Sequence, residues 1–595
     1  MTQSNLSIRF LLKRLLSHIN PRRRHQLWFL AGLIIITSFM EILSIGSVLP
    51  FLAALTEPEY VFKVNSIQPI IQAFSIKTSA QLLLILTIGF IIATFIAGVM
   101  RLLLAWASAR LCYAIGSDIS AKVYKLTLYQ PYSVHCNRNS SEMINSITNK
   151  TGIAIHTINA AVNISTSLVM CLSIMIIMLA ASPMIVISIF ILFGLIYGAI
   201  IYLTRNQLLE YSHMIALEST RAIKVLQEGL SGIRDIIIDR NQSLFCKIYR
   251  DADNSVRISQ AKAAFLSVSP RNLMETLSII IIVVLAYILN QQDSSGVVKS
   301  LPIIALIVLA SQRLLPVFQQ IYTSWSYIQT ARVSLHDIIK LLDQPLPIFA
   351  DKLATKPLIF KRNITLNRIG FRYSPKLPFV LKQVNLSIAK GSRVGFIGPT
   401  GSGKSTLLDI IMCLLEPTAG VLKIDGEVIN LDNQSNWQMH IAHVPQTVFL
   451  ADCSIIENIA FGIPKDQINL RRVKEAAKKA QIDKDIQKMP EKYKTIIGER
   501  GVRLSGGQCQ RIGIARALYK NADVLIFDEA SSALDSKTEQ DMVKAIESLS
   551  KELTVLVVAH RITSLKNCTQ IFEHSNGSIK YIGNYKNMLD LSKKC

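Results

Sequence analysis

Between Thr151 and Thr204 the chain carries no Lys, Arg, Asp or Glu, and Ser182-Pro183 interrupts this stretch near its middle. A soluble domain needs charge on its surface, so a run of that length fits two membrane-crossing helices joined by a tight outer turn, Ile164 to Ala181 and Met184 to Leu203. Four more apolar runs, Leu27 to Leu55, Leu82 to Trp106, Leu266 to Leu289 and Leu301 to Tyr322, are each near or above the roughly 20 residues that cross a bilayer. Six spans are therefore expected in the first 325 residues. A chain that is half hydrophobic and only 17% charged agrees with this.

The net charge of +24 would suit a nucleic-acid partner, yet cytoplasmic loops of membrane proteins collect Lys and Arg for their own reason. Arg9, Lys13, Arg14 and Arg22 to Arg24 precede the first span, and a basic stretch from Arg205 to Lys262 joins spans four and five. Those sides are expected in the cytoplasm, with Glu57 to Lys77 and the loop around Lys299 outside. Leu11, Leu12, Leu15, Leu16 and Ile19 share one helical face opposite Arg9, Lys13, Arg14 and His18, which predicts an interfacial helix and no cleaved signal peptide. The nine cysteines show no C-x-x-C pair and read as free thiols. The connections 111–163 and 205–265 are long, polar and poor in Pro and Gly, so they extend the membrane helices into the cytosol. A linker is expected over 341–355, between a membrane domain (1–340) and an α/β domain (356–595) in which short strands alternate with helices.

Gly398-Pro-Thr-Gly-Ser-Gly403-Lys404-Ser405-Thr406 fits G-x-x-x-x-G-K-[ST], with a strand over Arg393 to Ile397 before it and a helix over Lys404 to Leu415 after it. In such a loop the main-chain N–H groups of Gly398, Thr400, Gly401, Ser402 and Gly403 and the helix N-terminus face phosphate, Lys404 adds a full charge, and Ser405 holds Mg²⁺. The strand Val524 to Phe527 ends in Asp528 and Glu529, one acid for the metal and one to polarise the attacking water.

Leu504-Ser505-Gly506-Gly507-Gln508 resembles the signature of ABC transporters. That resemblance implies that Ser505 to Gln508 address the nucleotide of a second subunit, so that dimerisation completes the site. It further implies that Tyr373 stacks on adenine, that Gln446 meets Mg²⁺ and the γ-phosphate, that Asp535 belongs to the D-loop, and that His560 is the switch histidine. With Glu529 these give a full set, so both ATP sites of a homodimer are expected to hydrolyse. The order of domains resembles a type IV exporter: six transmembrane helices followed by an α/β P-loop ABC ATPase domain, multi-pass in the bacterial inner membrane, with coupling helices near Tyr129 to Glu142 and Val225 to Ile233.

The membrane charges bear on what is moved. Glu41 lies about 21 Å into span one and Arg313 about 18 Å into span six, at 1.5 Å per residue; Arg271 and Glu275 share a face of span five. They pair within the bundle, meet water, or meet a charged ligand. Ser38-Phe-Met-Glu41 with Val48-Leu-Pro-Phe51, Pro270-Arg271 with Glu275, and Arg313-Leu-Leu-Pro316 resemble the bacterial flippases of lipid-linked oligosaccharides. The outer segment Val61 to Ile76 resembles their short external helix, with Pro69 as a departure. The resemblance implies an amphipathic, lipid-linked glycan as substrate, with a lipid A or multidrug exporter as the alternative and an ATP-gated channel as a third. Six spans exclude a soluble ATPase acting on nucleic acid.

Overall fold

In lipid an uncharged chain satisfies its backbone by closing i to i−4 hydrogen bonds, and the N-terminal half of this protein does so over long stretches. The computed structural model describes residues 7–56, 78–181, 183–292, 297–347, 357–528, 552–559 and 565–592. The chain divides into two compact units, Met1–Leu128 with Arg138–Pro345, and Tyr129–Asn137 with Leu346–Cys595.

The first unit is helical. Helix α1 (Ile8–Ser17) buries Leu11 and Leu15 but exposes Leu16; α2 (Pro21–Gly46) and α3 (Val48–Thr56) carry the first apolar run. The expected uninterrupted span to Leu55 is corrected here: the helix breaks at Ser47, which places Pro50 in the first turn of α3, where its missing N–H costs no hydrogen bond. After α4 (Ser79–Leu128) the chain passes through α5 (Tyr132–Asn137), which belongs to the second unit, and returns in α6 (Ser140–Asn145). A π-turn, Ser146–Lys150, leads into α7 (Thr151–Ala181), and α8 (Pro183–Ser231) follows. Gly232 separates α8 from α9 (Ile233–Ile238), and α10 (Gln242–Gln292) and α11 (Val297–Leu342) complete the unit. In Pro21–Gly46, Ser79–Leu128, Ser140–Ile177 and Phe190–Ser231 the described helices are long and apolar enough to cross a membrane. The outer segment 61–76 lies outside the described residues.

Helices α2 and α4 run antiparallel, with Arg23 Nε 2.9 Å from Asp118 Oδ2 and Ser44 3.3 Å from Thr94. Phe51 of α3 stacks on Phe90. Helices α8, α10 and α11 meet through Phe193, Tyr197, Met274, Leu315 and Tyr322. Pro270 sits inside α10 and cannot donate to the carbonyl of Leu266. Tyr322 Oη donates to that carbonyl at 3.1 Å, and Gln319 Nε2 donates to the Ser267 carbonyl at 2.9 Å. A proline is thus tolerated in the bundle because a neighbouring helix supplies the donors.

The second unit holds two sheets. One is antiparallel and four-stranded, in the order β2-β1-β4-β5: β1 (Asn363–Phe371), β2 (Leu381–Ala389), β4 (Ala419–Ile424) and β5 (Glu427–Val428). The other runs β10-β9-β3-β8-β7-β6, from β3 (Arg393–Ile397), β6 (Ile441–Val444), β7 (Val524–Asp528), β8 (Thr554–Val558), β9 (Gln570–Ser575) and β10 (Ser578–Gly583). All but the β9–β10 hairpin pair in parallel. Strand β8 is buried at every residue and β7 at all but Asp528, because apolar side chains cover both faces of the sheet. That leaves the polar ends of β3 and β7 as the place for chemistry.

Candidate functional site

Strand β3 delivers the chain to Gly398, and helix α12 (Lys404–Ile411) leaves from Gly403. This helix is shorter than the expected 404–415: Cys413 turns left-handed at φ 55°, and the amides of Leu414 and Leu415 both return to the Asp409 carbonyl. Gly398 (φ 144°) and Gly403 (φ 106°) have backbone angles that side chains rarely allow, and a Cβ on Gly398 would lie 2.2 Å from the His574 carbonyl oxygen. Lys404 is buried, and its Nζ donates to the carbonyls of Gly398 and Pro399 at 2.9 and 3.0 Å, so the loop is curled around its own cation. Thr400, Gly401 and Ser405 are exposed on the loop.

Ser405 Oγ donates to Asp528 Oδ1 at 3.4 Å, joining the loop to the end of β7. Asp409 of α12 stands close enough to feel Asp528: burial first, then that neighbouring charge, push its carboxyl up to about 6. A hydroxyl beside a carboxylate, with a second carboxylate repelled by the first, fits a divalent cation. Among the described residues no group of three His, Cys, Asp or Glu could cage a metal alone. Magnesium takes one or two protein ligands and completes its shell with phosphate and water, which suits the pair present.

Tyr373 Oη is 3.0 Å from Thr406 Oγ1, and its ring is held edge-on by Phe371 (5.0 Å, 85°) while 46% of the residue stays exposed. An open aromatic face beside a phosphate loop can stack on a base. Tyr132 of α5 belongs to the same unit, and burial, Cys136, Asp409 and Tyr373 together push its phenol up to about 12. Gln446 follows β6 and is exposed. Ser505 caps helix α13 (Gly506–Lys520) in a reciprocal box with Gln508: Ser505 N donates to Gln508 Oε1 at 2.9 Å, and Gln508 N donates to Ser505 Oγ at 3.3 Å. Among the described residues no hydrogen bond links 504–508 to 398–406. Glu529, Asp535 and His560 lie outside the described residues.

In the membrane unit, Glu41 is 1% exposed, and its Oε2 lies 3.6 Å from Nε of Arg101 on α4. The expectation that set Glu41 at the same depth as Arg313 named no partner on span two. The signal was present, since Arg101 is the one charged residue of the run Leu82 to Trp106. Arg271 and Glu275 are both exposed on α10, and no ion pair joins them. The side chain of Arg313 lies outside the described residues. Asp409 and His574 were not singled out in the sequence either; Asp409 stands on the helix that leaves the loop, and His574 is brought to the loop by the pairing of β9 with β3.

Two family profiles match the chain: ABC transporter transmembrane region over residues 4–317 and ABC transporter over 381–532. The ATP-dependent lipid A-core flippase of Saccharophagus degradans is 30% identical over 489 residues, covering 80% of each chain. The Toxin RTX-I translocation ATP-binding protein of Actinobacillus pleuropneumoniae is 37% identical over 287 residues, 48% of this chain and 40% of that one. Among solved structures, a bacterial Atm1-family ABC exporter with ATP bound superposes with a TM-score of 0.76 at 20% identity, covering 96% of both chains.

Proposed function

This chain belongs to the ABC transporters, an exporter half with membrane and ATPase domains on one polypeptide that hydrolyses ATP to drive transport, and from that premise we propose that it flips a phosphate-bearing glycolipid. The reading places domains at 1–340 and 356–595 with a linker at 341–355, and the ATPase domain on the cytoplasmic side of a bacterial inner membrane. Two copies form the working unit. Within one chain Ser505 and Gln508 bond to each other, and among the described residues no hydrogen bond joins 505–508 to the phosphate loop, which supports a role toward a second copy's nucleotide.

The observation that carries the chemistry is the meeting of Ser405 and Asp528. Ser405, Asp528 and Gln446 would hold Mg²⁺, which supplies positive charge where the transferred phosphoryl group becomes more negative. Lys404 and the loop amides bind the phosphates, with Thr400, Gly401, Ser402 and Thr406 in the same cradle. Tyr373 stacks on the base, Glu529 takes a proton from water, His560 and Asp535 hold the γ-phosphate end, and Ser505, Gly506, Gly507 and Gln508 close over it from the partner.

For the cargo, the lipid A-core flippase relative supports a glycolipid, and the mid-membrane charges support an anionic headgroup. Burying Glu41 unpaired would cost at least about 2.5 kcal/mol on insertion scales, so Arg101 offsets it; Arg271 and Glu275, exposed on α10, and Arg313, by its place in the sequence, are the charges assigned to a charged substrate. The finer reading is a polyprenyl-linked oligosaccharide; lipid A-core is the second reading, favoured by that relative.

The test is ATPase activity in lipid nanodiscs for wild type and Glu529→Gln, with and without a polyprenyl-pyrophosphate oligosaccharide. The expected result is hydrolysis by wild type only, with a rate that the glycolipid changes and Arg313→Ala blunts. A rate that responds to lipid A or amphipathic drugs but not to the polyprenyl glycan would remove this cargo and leave the exporter.

A further inference from the structure

The elbow between α1 and α2 carries charge that the protein itself does not neutralise. Two carboxylates stand there, and both are taken: Asp118 by Arg23 at 2.9 Å, and Asp343 by Arg14 Nε at 3.0 Å and His18 Nε2 at 2.6 Å. Hydrogen bonds from His18 and Arg14 hold the Asp343 carboxyl below its usual range against the opposing effect of burial. Among the described residues, two of the cations that line the cavity between the elbow and α4 are left over. Arg24 gives an N–H to the Ser17 carbonyl at 2.6 Å, and Lys122 Nζ donates to His18 Nδ1 at 3.4 Å; neither meets a carboxylate. Arg24, Lys122 and His18 line a cavity of about 520 Å³ between the elbow and α4, and the one carboxylate on its wall, Asp118, is already held by Arg23.

A second cavity, of about 240 Å³, lies between α1, α2 and α7, and Leu12, Leu15, Leu27, Ala31 and Ile34 are among its almost wholly apolar lining. On α2, Arg24, Leu27 and Ala31 recur at i, i+3 and i+7, so the cation and the apolar lining share one face. Trp28 and Phe29 are 79% and 80% exposed one turn beyond Arg24, where large apolar rings mark the entry into lipid.

We propose that this elbow is a binding site for a resident anionic phospholipid of the inner leaflet, its phosphate held by Arg24 and Lys122 and one acyl chain seated in the cavity beside Ala31. A bare anion would use the first cavity alone, whereas a cationic pocket with an apolar one farther along the same face of α2 matches a headgroup with its tail. The site is separate from the transported substrate. It also has a route to activity: His18 joins Lys122 to Asp343, the residue that follows the end of α11, so a phosphate drawing on Lys122 acts on the exit of the last membrane helix.

The test reconstitutes full-length protein in phosphatidylcholine nanodiscs with or without phosphatidylglycerol. Co-purified lipid is counted by native mass spectrometry, and ATPase activity is measured alongside. Arg24→Ala with Lys122→Ala should lower phosphatidylglycerol retention about tenfold and remove its effect on the ATPase rate. Arg22→Ala removes the same charge from the elbow outside the cavity and should change neither. Ala31→Phe fills the apolar cavity with every charge in place and should also lower retention. Equal losses from Arg22→Ala and Arg24→Ala would reduce the effect to general surface charge and overturn the site. Retention untouched by Ala31→Phe, or an ATPase response reproduced by inorganic phosphate in phosphatidylcholine alone, would overturn the lipid.

Discussion

At His574 a fully buried imidazole has no hydrogen-bond partner for either ring nitrogen, and its Cε1 lies 3.0 Å from where a Cβ on Gly403 would stand. Burial, and then the charge of Lys404, lower its pKa from 6.5 to about 4. The unfolded chain therefore takes up a proton before the folded one does, so stability is lost as pH falls from about 6.5 toward 4. At pH 5 the loss is about 2 kcal/mol. His574→Leu removes both the unpaired nitrogens and the titration. Thermal inactivation of the ATPase should thus shift upward at pH 7.5, and by a larger step at pH 5; equal shifts at the two pH values would contradict the burial. Nothing in Gln570 to Ser575 marks this histidine as special. Its setting comes from β9 lying beside β3, with Glu573 opposite Ile397 at the mouth of the phosphate loop.

Among the elements, α10 shows how a local rule is overridden from elsewhere. Pro270 breaks the helix ladder, and the freed Leu266 carbonyl finds Tyr322 on α11, with Gln319 donating beside it to the Ser267 carbonyl. Tyr322→Phe keeps the ring among Tyr197 and Trp325 but removes the donor to the Leu266 carbonyl and the contact with the Thr204 hydroxyl, at an expected cost of about 1–3 kcal/mol. Pro270→Ala restores the backbone donor, so the double variant should recover most of that loss in a thermal-stability assay in detergent. Full additivity of the two substitutions would show that the pair is not coupled. The proline and the tyrosine were both visible in the sequence, but their pairing was not, because the offset between two helices depends on which side chains interdigitate. The same holds for Glu41: its depth follows from a residue count, while its partner Arg101 follows from the register of α2 on α4. Where one proline decides locally, as Pro50 does in restarting α3 at Val48, the break follows from a chemistry already written in the chain.

For the whole molecule, the lack of any hydrogen bond between Ser505 to Gln508 and Lys404 sets a test of the dimer. Lys404→Ala and Ser505→Arg should each abolish hydrolysis alone. Co-expressed, they form mixed dimers in which one site joins an intact phosphate loop to an intact signature, so activity returns to roughly a quarter of wild type for random pairing. No recovery would mean that each chain completes its own site. The bilayer segments, the phosphate loop between strand and helix, the paired acids after β7 and the order of the two domains were all determined by the sequence alone. They rest on length, periodicity and fixed spacing, which act over a few residues at a time. The tertiary structure decided that Arg101 faces Glu41, that α11 repairs α10, that His574 lies under the loop, and that two spare cations share an elbow cavity. Those contacts join residues distant in the chain, and the packing of whole faces selects them.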